Sequence, residues 1–110
     1  MKMGDNDILN RIVDKTREIY GENILAIVLY GSVARNSADS ESDIDIALLV
    51  SYEDEDMHDK LIEAMVELDL EYNQVISPSI IEKEKYDKWK SVLPYYQNIE
   101  KEGISLWKAA

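Results

Sequence analysis

A small α/β (α+β) domain, with three to four strands flanked by helices, is predicted by three observations. Two apolar runs are unbroken, amphipathic stripes at helical spacing surround them, and Gly, Pro, Asn or Asp stands at the junctions. The first helix opens at Asp5 or Asn6, either of which can cap it, and carries Ile8, Leu9, Ile12, Val13, Ile19 and Tyr20 as its apolar stripe. The run Ile24–Tyr30 is rich in branched residues and predicts a strand buried on both faces, although periodicity alone leaves a buried helix segment open. Gly31 ends it, a polar loop covers residues 36–42, and Ile44–Val50 predicts a second buried strand.

Residues 51–56 form an acidic loop whose Asp residues favour the start of a helix through its dipole. That helix, about residues 57–70, places Met57, Leu61, Ala64, Met65 and Leu68 at helical spacing, a core stripe. A third strand is expected over about residues 72–81, with Pro78 indicating an edge position or a bulge. Residues 82–93 read as a helix presenting Tyr86, Trp89 and Leu93; Pro94 opens another short helix, which Gly103 ends. The apolar segment 104–107 packs as a last strand or caps the sheet, the alternative being an aromatic partner surface shared with Tyr95, Tyr96 and Trp89.

Composition narrows the function classes. A length of 110 residues allows one hydrophobic core, so residues 1–110 are read as a single domain without repeat or linker. With no cysteine there is neither a disulfide framework nor a Cys-ligated zinc or iron–sulfur site. No apolar run reaches membrane-span length and residues 1–10 lack a signal-peptide pattern, which predicts a cytoplasmic protein. The formal net charge is −11, and residues 53–72 hold nine acids against one base. Such a field opposes direct binding to nucleic acid, where affinity comes from Lys and Arg neutralising phosphates. It suits solubility first, and attraction to a basic protein partner second.

The chemistry-bearing pattern is Leu29-Tyr30-Gly31-Ser32 followed after ten residues by Asp43-Ile44-Asp45. Gly31 and Ser32 can bring backbone N–H groups and a hydroxyl close to a phosphate at the start of a helical turn. Asp43 and Asp45 alternate with Ile44 and so share one strand face. Two adjacent carboxylates repel, and a hard cation such as Mg²⁺ offsets that repulsion. Taken singly, each piece reads as an ordinary turn or a solvated strand end. Arg35 can face a nucleotide phosphate or form a weak surface ion pair. His58, the only histidine, sits at a helix start and receives no role.

Together these residues resemble the nucleotidyltransferase superfamily that includes DNA polymerase β, and most closely its minimal nucleotidyltransferase (MNT) branch. The match is carried by Gly31-Ser32, Ala34-Arg35, Ser42 and Asp43-x-Asp45, and extends through residues 75–78 and 93–104. The resemblance implies a small mixed sheet, with Gly31, Ser32 and Arg35 binding a nucleoside triphosphate and Asp43 and Asp45 as catalytic ligands of Mg²⁺. Two positions depart from the family. Asn36 replaces a usual Gly, which costs little because Asn tolerates left-handed geometry. Catalytic members bring a third carboxylate from a neighbouring strand, and the aligned position here is Asn73. On a strand, Glu71 would share a face with Asn73 and could reach the metal, with Asp69 the remaining candidate.

The function so implied is transfer of a nucleoside monophosphate, AMP from ATP in the first instance, to an acceptor hydroxyl. MNT proteins of this size are typically antitoxins paired with a HEPN toxin, so the resemblance implies a HEPN-type partner; self-association stays open. The alternative is a catalytically inactive module of the same fold that binds and inhibits a partner. Nucleotidylation of a small drug molecule uses the same chemistry but needs an extra enclosing domain.

Overall fold

In the computed structural model, which describes residues 3–30 and 43–109, the expected alternation is present. Helix α1 (Met3–Tyr20) leads through a 3₁₀ turn (Gly21–Asn23) into β1 (Ile24–Tyr30). Strand β2 (Ile44–Val50), helix α2 (Glu55–Tyr72), strand β3 (Ile76–Glu82), helices α3 (Lys83–Trp89) and α4 (Pro94–Glu102) and strand β4 (Ile104–Lys108) follow. The four strands form one mixed sheet in the order β3-β2-β1-β4, with β2 antiparallel to β1, β4 antiparallel to β1, and β2 parallel to β3. Pro78 therefore lies on an edge strand, where a missing ladder donor is tolerated. The last segment is a strand, one of the placements that the apolar run left open.

The sheet is covered on both faces. Ile27 and Leu29 of β1 and Ile46 and Leu48 of β2 point to one face, against Ile8 and Ile12 of α1 and Leu61, Met65 and Leu68 of α2. Val28, Ala47, Leu49 and Ile81 point to the other, against Tyr86 of α3 and Tyr96 and Ile99 of α4. Strand alternation explains how one apolar run serves both layers. Asn23 ties the far end together: its side chain donates to the Tyr52 carbonyl at 2.7 Å and accepts from the Tyr52 N–H at 3.0 Å.

Several boundaries differ from expectation for local reasons. Helix α1 begins at Met3, ahead of the expected start at Asp5 or Asn6. Helix α2 starts two residues early because Asp54 is its cap, accepting from the Met57 N–H at 3.0 Å. It runs on to Tyr72, where Asn73 stops it with a left-handed backbone, φ 53° and ψ 47°. The third strand thus begins at Ile76, and residues 71–73 are not strand. Helix α3 is shorter than residues 82–93, ending at Trp89, whose carbonyl takes the N–H groups of Val92 and Leu93.

Candidate active site

Strand register assembles the site. Asp45 pairs across the antiparallel ladder with Tyr30 and across the parallel ladder with Ser77; Ala47 pairs with Val28 and Ser79. Tyr30, Asp45, Ser77 and Ser79 therefore share one face at the end of the sheet where β1 finishes and β2 and β3 begin. Asp43 stands just ahead of β2 on the same side: it is exposed, Asp45 is half-buried, and the Ser77 hydroxyl donates to Asp43 Oδ2 at 3.4 Å. The face shared by the two acids, read from their spacing, is where the structure places them.

A tyrosine hydroxyl wall closes one side. The Tyr30 hydroxyl lies 3.2 Å from Ser79 Oγ and 3.1 Å from the Tyr95 hydroxyl, and the Tyr30 and Tyr95 rings meet edge to face at 6.0 Å. Tyr95 is the second residue of α4, so the start of that helix is delivered to the acid end of the sheet. Burial first, helped by its hydrogen bond with Tyr30 and the nearby negative charge of Asp45 and opposed by hydrogen bonding with Ser79, pushes the Tyr95 phenol up to about 12. Tyr95 is a neutral hydroxyl at physiological pH and can donate to a ligand oxygen.

Glu71 does not join Asp43 and Asp45. It belongs to α2, and its Oε2 is held by Arg11 of α1 at 2.6 Å. The strand-face argument that linked Glu71 to Asn73 fails because both residues lie at the end of a helix, where residues two apart diverge. The neighbouring-strand position beside Asp45 is Ser77, a hydroxyl. Among the described residues no three His, Cys, Asp or Glu side chains gather in a way that could hold a metal ion. The acid that feels the charge of Asp43 is Asp69. Burial raises its carboxyl first, a hydrogen bond from the Ile76 N–H at 2.9 Å opposes this, and the charge of Asp43 adds to the rise. Asp69 thus helps fasten the start of β3 beside Asp43.

The donor set still fits one hard cation. Mg²⁺ in nucleotide sites is commonly bound by one or two carboxylates plus substrate phosphates and keeps waters, so a third protein carboxylate is not required for the nucleotide-bearing ion. Asp43 and Asp45 are oxygen donors on one face, at an exposed sheet end. Gly31, Ser32 and Arg35, with Ala34, Asn36 and Ser42, lie outside the described residues; in the chain, Gly31 directly follows Tyr30. Tyr30 and Ser77 fall within the matched segments but were given no role, and Ser79 and Tyr95 were not linked to this site, because strand register and helix placement are long-range properties.

Comparison with known proteins gives a consistent picture. A family model described as polymerase beta, nucleotidyltransferase matches residues 10–108. Two proteins of Methanocaldococcus jannaschii, both provisionally named protein adenylyltransferase, are similar in sequence. One is 31% identical over 105 residues, covering 96% of this chain and 100% of the relative. The other is 30% identical over 80 residues, covering 70% of this chain, which spans only 54% of that relative's length. A chain from a toxin–antitoxin crystal structure with AMP-PNP superposes with a TM-score of 0.63 at 20% identity, over 92% of this chain and 73% of the other. A chain from the complex of a tri-AMPylated Shewanella oneidensis HEPN toxin with MNT antitoxin gives 0.60 at 20% identity, over 94% and 72%. At such identities the structural likeness is one of fold.

Proposed function

This chain belongs to the polymerase β nucleotidyltransferase family, and from that premise we propose that it transfers AMP from ATP to a hydroxyl of a protein partner. The observation that carries the reading is the placement of Asp43 and Asp45 on one face at the exposed sheet end, beside Tyr30 and immediately downstream of the segment that contains Gly31-Ser32. In this reading Asp43 and Asp45 hold Mg²⁺, while Gly31, Ser32 and Arg35 hold the triphosphate. The ion, when bound, offsets negative charge developing on the phosphoryl oxygens.

The chain's own groups do the rest. Ser77 orients Asp43 through its hydrogen bond, and the hydroxyls of Tyr30 and Tyr95 line the wall against which a nucleotide would lie. The acceptor oxygen attacks the α-phosphorus, pyrophosphate leaves, and the acceptor proton passes to solvent or to a carboxylate at the acid end. The adenylyltransferase relatives support adenylyl transfer to protein, and the toxin–antitoxin complexes that contain the structural neighbours support a HEPN-type toxin as partner, with this chain as antitoxin; a cytoplasmic location belongs to the same proposal. The test is transfer of radiolabel from α-labelled ATP with Mg²⁺ to a purified cognate HEPN protein. We expect labelling that falls more than about a hundredfold in Asp43→Ala and Asp45→Ala, a larger loss than typical for outlying metal-site residues. Labelling that survives both substitutions would sink the reading.

Ser77 in place of a neighbouring-strand carboxylate favours a second reading, an inactive module that inhibits its partner by contact. If the wild type binds Mg·ATP and the partner but transfers no label, the second reading replaces the first.

A further inference from the structure

Helix α2 carries an apolar stripe that the core does not use. Leu61, Met65 and Leu68 are buried, whereas Ile62, Val66 and Leu70 recur at every fourth residue and are 38%, 48% and 80% exposed. Side chains at that spacing share one helix face. This face is turned away from α1, because Glu71 and Tyr72 on the opposite flank meet Arg11 and Asp7 of α1. Single exposed apolar residues are ordinary, but three in register on one helix form a patch of the kind that marks a contact surface.

The residues beside the stripe limit what can cover it. Asp59, Glu63 and Glu67 are exposed along its edge, and residues 53–72 hold nine acids against one base. That base, Lys60, sits 3.1 Å from Asp56 on its own helix. A second copy docked through a two-fold axis would set the same acids against each other. Nucleic acid and anionic membranes are repelled for the same reason.

We propose that the Ile62, Val66 and Leu70 face of α2 docks a basic amphipathic helix of a partner protein. Apolar residues of that helix lie on the stripe and its Lys or Arg residues face Asp59, Glu63 and Glu67. The proposal is independent of nucleotidyl transfer, since α2 covers the sheet face opposite the one that carries Asp45.

The probe is a dye-labelled helical peptide with leucines at every third and fourth position and lysines on both flanks, titrated with the intact protein by fluorescence anisotropy at low ionic strength. The wild type binds. The pair Val66→Ser and Leu70→Ser weakens binding about tenfold or more, from the apolar area lost. The pair Glu63→Lys and Glu67→Lys weakens it too and flattens its salt dependence. Asp45→Asn leaves it unchanged, which separates a failure here from a failure of the transfer reading. All four positions in the two surface pairs are exposed, and circular dichroism verifies that the variants remain folded. The proposal is overturned if the wild type does not bind, if both pairs bind as the wild type does, or if a control peptide with serines for leucines binds equally. It is also overturned if sedimentation shows a dimer that Leu70→Ser abolishes, since the occupant is then a second copy.

Discussion

On the face of the sheet covered by α1 and α2, fifteen of the described residues form one buried apolar layer; on the face covered by α3 and α4, Ala47, Ile81 and Ile99 are the buried members of a much smaller cluster. The same strands supply both, so the difference arises from what is laid over them. The thick side is filled by two eighteen-residue helices. The thin side is covered by helices of seven and nine residues and by tyrosines whose rings pack while their hydroxyls face polar partners. Among the described residues, apolar burial is concentrated on the α1 and α2 face, and the acids Asp43 and Asp45 stand at the end of the more thinly covered one.

The comparison breaks first in the thick layer. Ile27 is fully buried there, and Ile27→Ala should lower unfolding free energy by about 2–5 kcal/mol, measured by urea denaturation. Ile99→Ala on the thin side should fall at the low end, about 2 kcal/mol, because its cluster is small and half-open. Equal losses would mean that the two faces contribute alike.

The corner between α4 and β4 offers a finer test. A Cβ at Gly103 would lie 2.4 Å from the Ile99 carbonyl oxygen and 2.4 Å from Val28 Cγ1. Backbone cannot yield cheaply, so Gly103→Ala should destabilise by about 1–3 kcal/mol in the same assay. It should also loosen Tyr95, which α4 carries to the acid end. An unchanged denaturation midpoint would show that this corner tolerates a methyl group.

The smallest effect belongs to the surface of α3. Lys83 sits 2.5 Å from Asp87 and, with that hydrogen bond as the leading cause, holds its carboxyl below the usual range. A depressed carboxyl contributes stability above its unfolded pKa and loses it as pH falls through the folded one. Asp87→Asn should therefore lower the melting temperature slightly at pH 7, with the difference from wild type vanishing under acid conditions below the ordinary Asp range. Exposure and salt keep this effect slight. A difference that grows on acidification would contradict the assignment.

How much of this was legible in the sequence depends on the range of the interaction. The bounds of β1 and β2, the helix opened by Pro94, and the shared face of Asp43 and Asp45 are local consequences of apolar runs, ring geometry and strand alternation. The end of α2 was misread although a local sign was present. Tyr72 continues the spacing of Leu61, Met65 and Leu68, and Asn73 is a residue type that readily adopts the left-handed stop. That error generated the Glu71 assignment, which the ion pair with Arg11 overturns. The Tyr30, Ser79 and Tyr95 wall was out of reach, because hydrophobic pattern sets which face a residue takes but not which residue stands beside it on the next strand.

The central claim is that Asp43 and Asp45 grip the cation of a bound nucleotide. Its most direct test is calorimetric titration with the Mg²⁺ complex of α,β-methylene ATP, which cannot release pyrophosphate, so binding is read apart from transfer. The account predicts saturable, Mg²⁺-dependent binding to the wild type and its loss in Asp45→Asn with the fold intact by circular dichroism. Equal affinity in the two proteins, or binding indifferent to Mg²⁺, would contradict it.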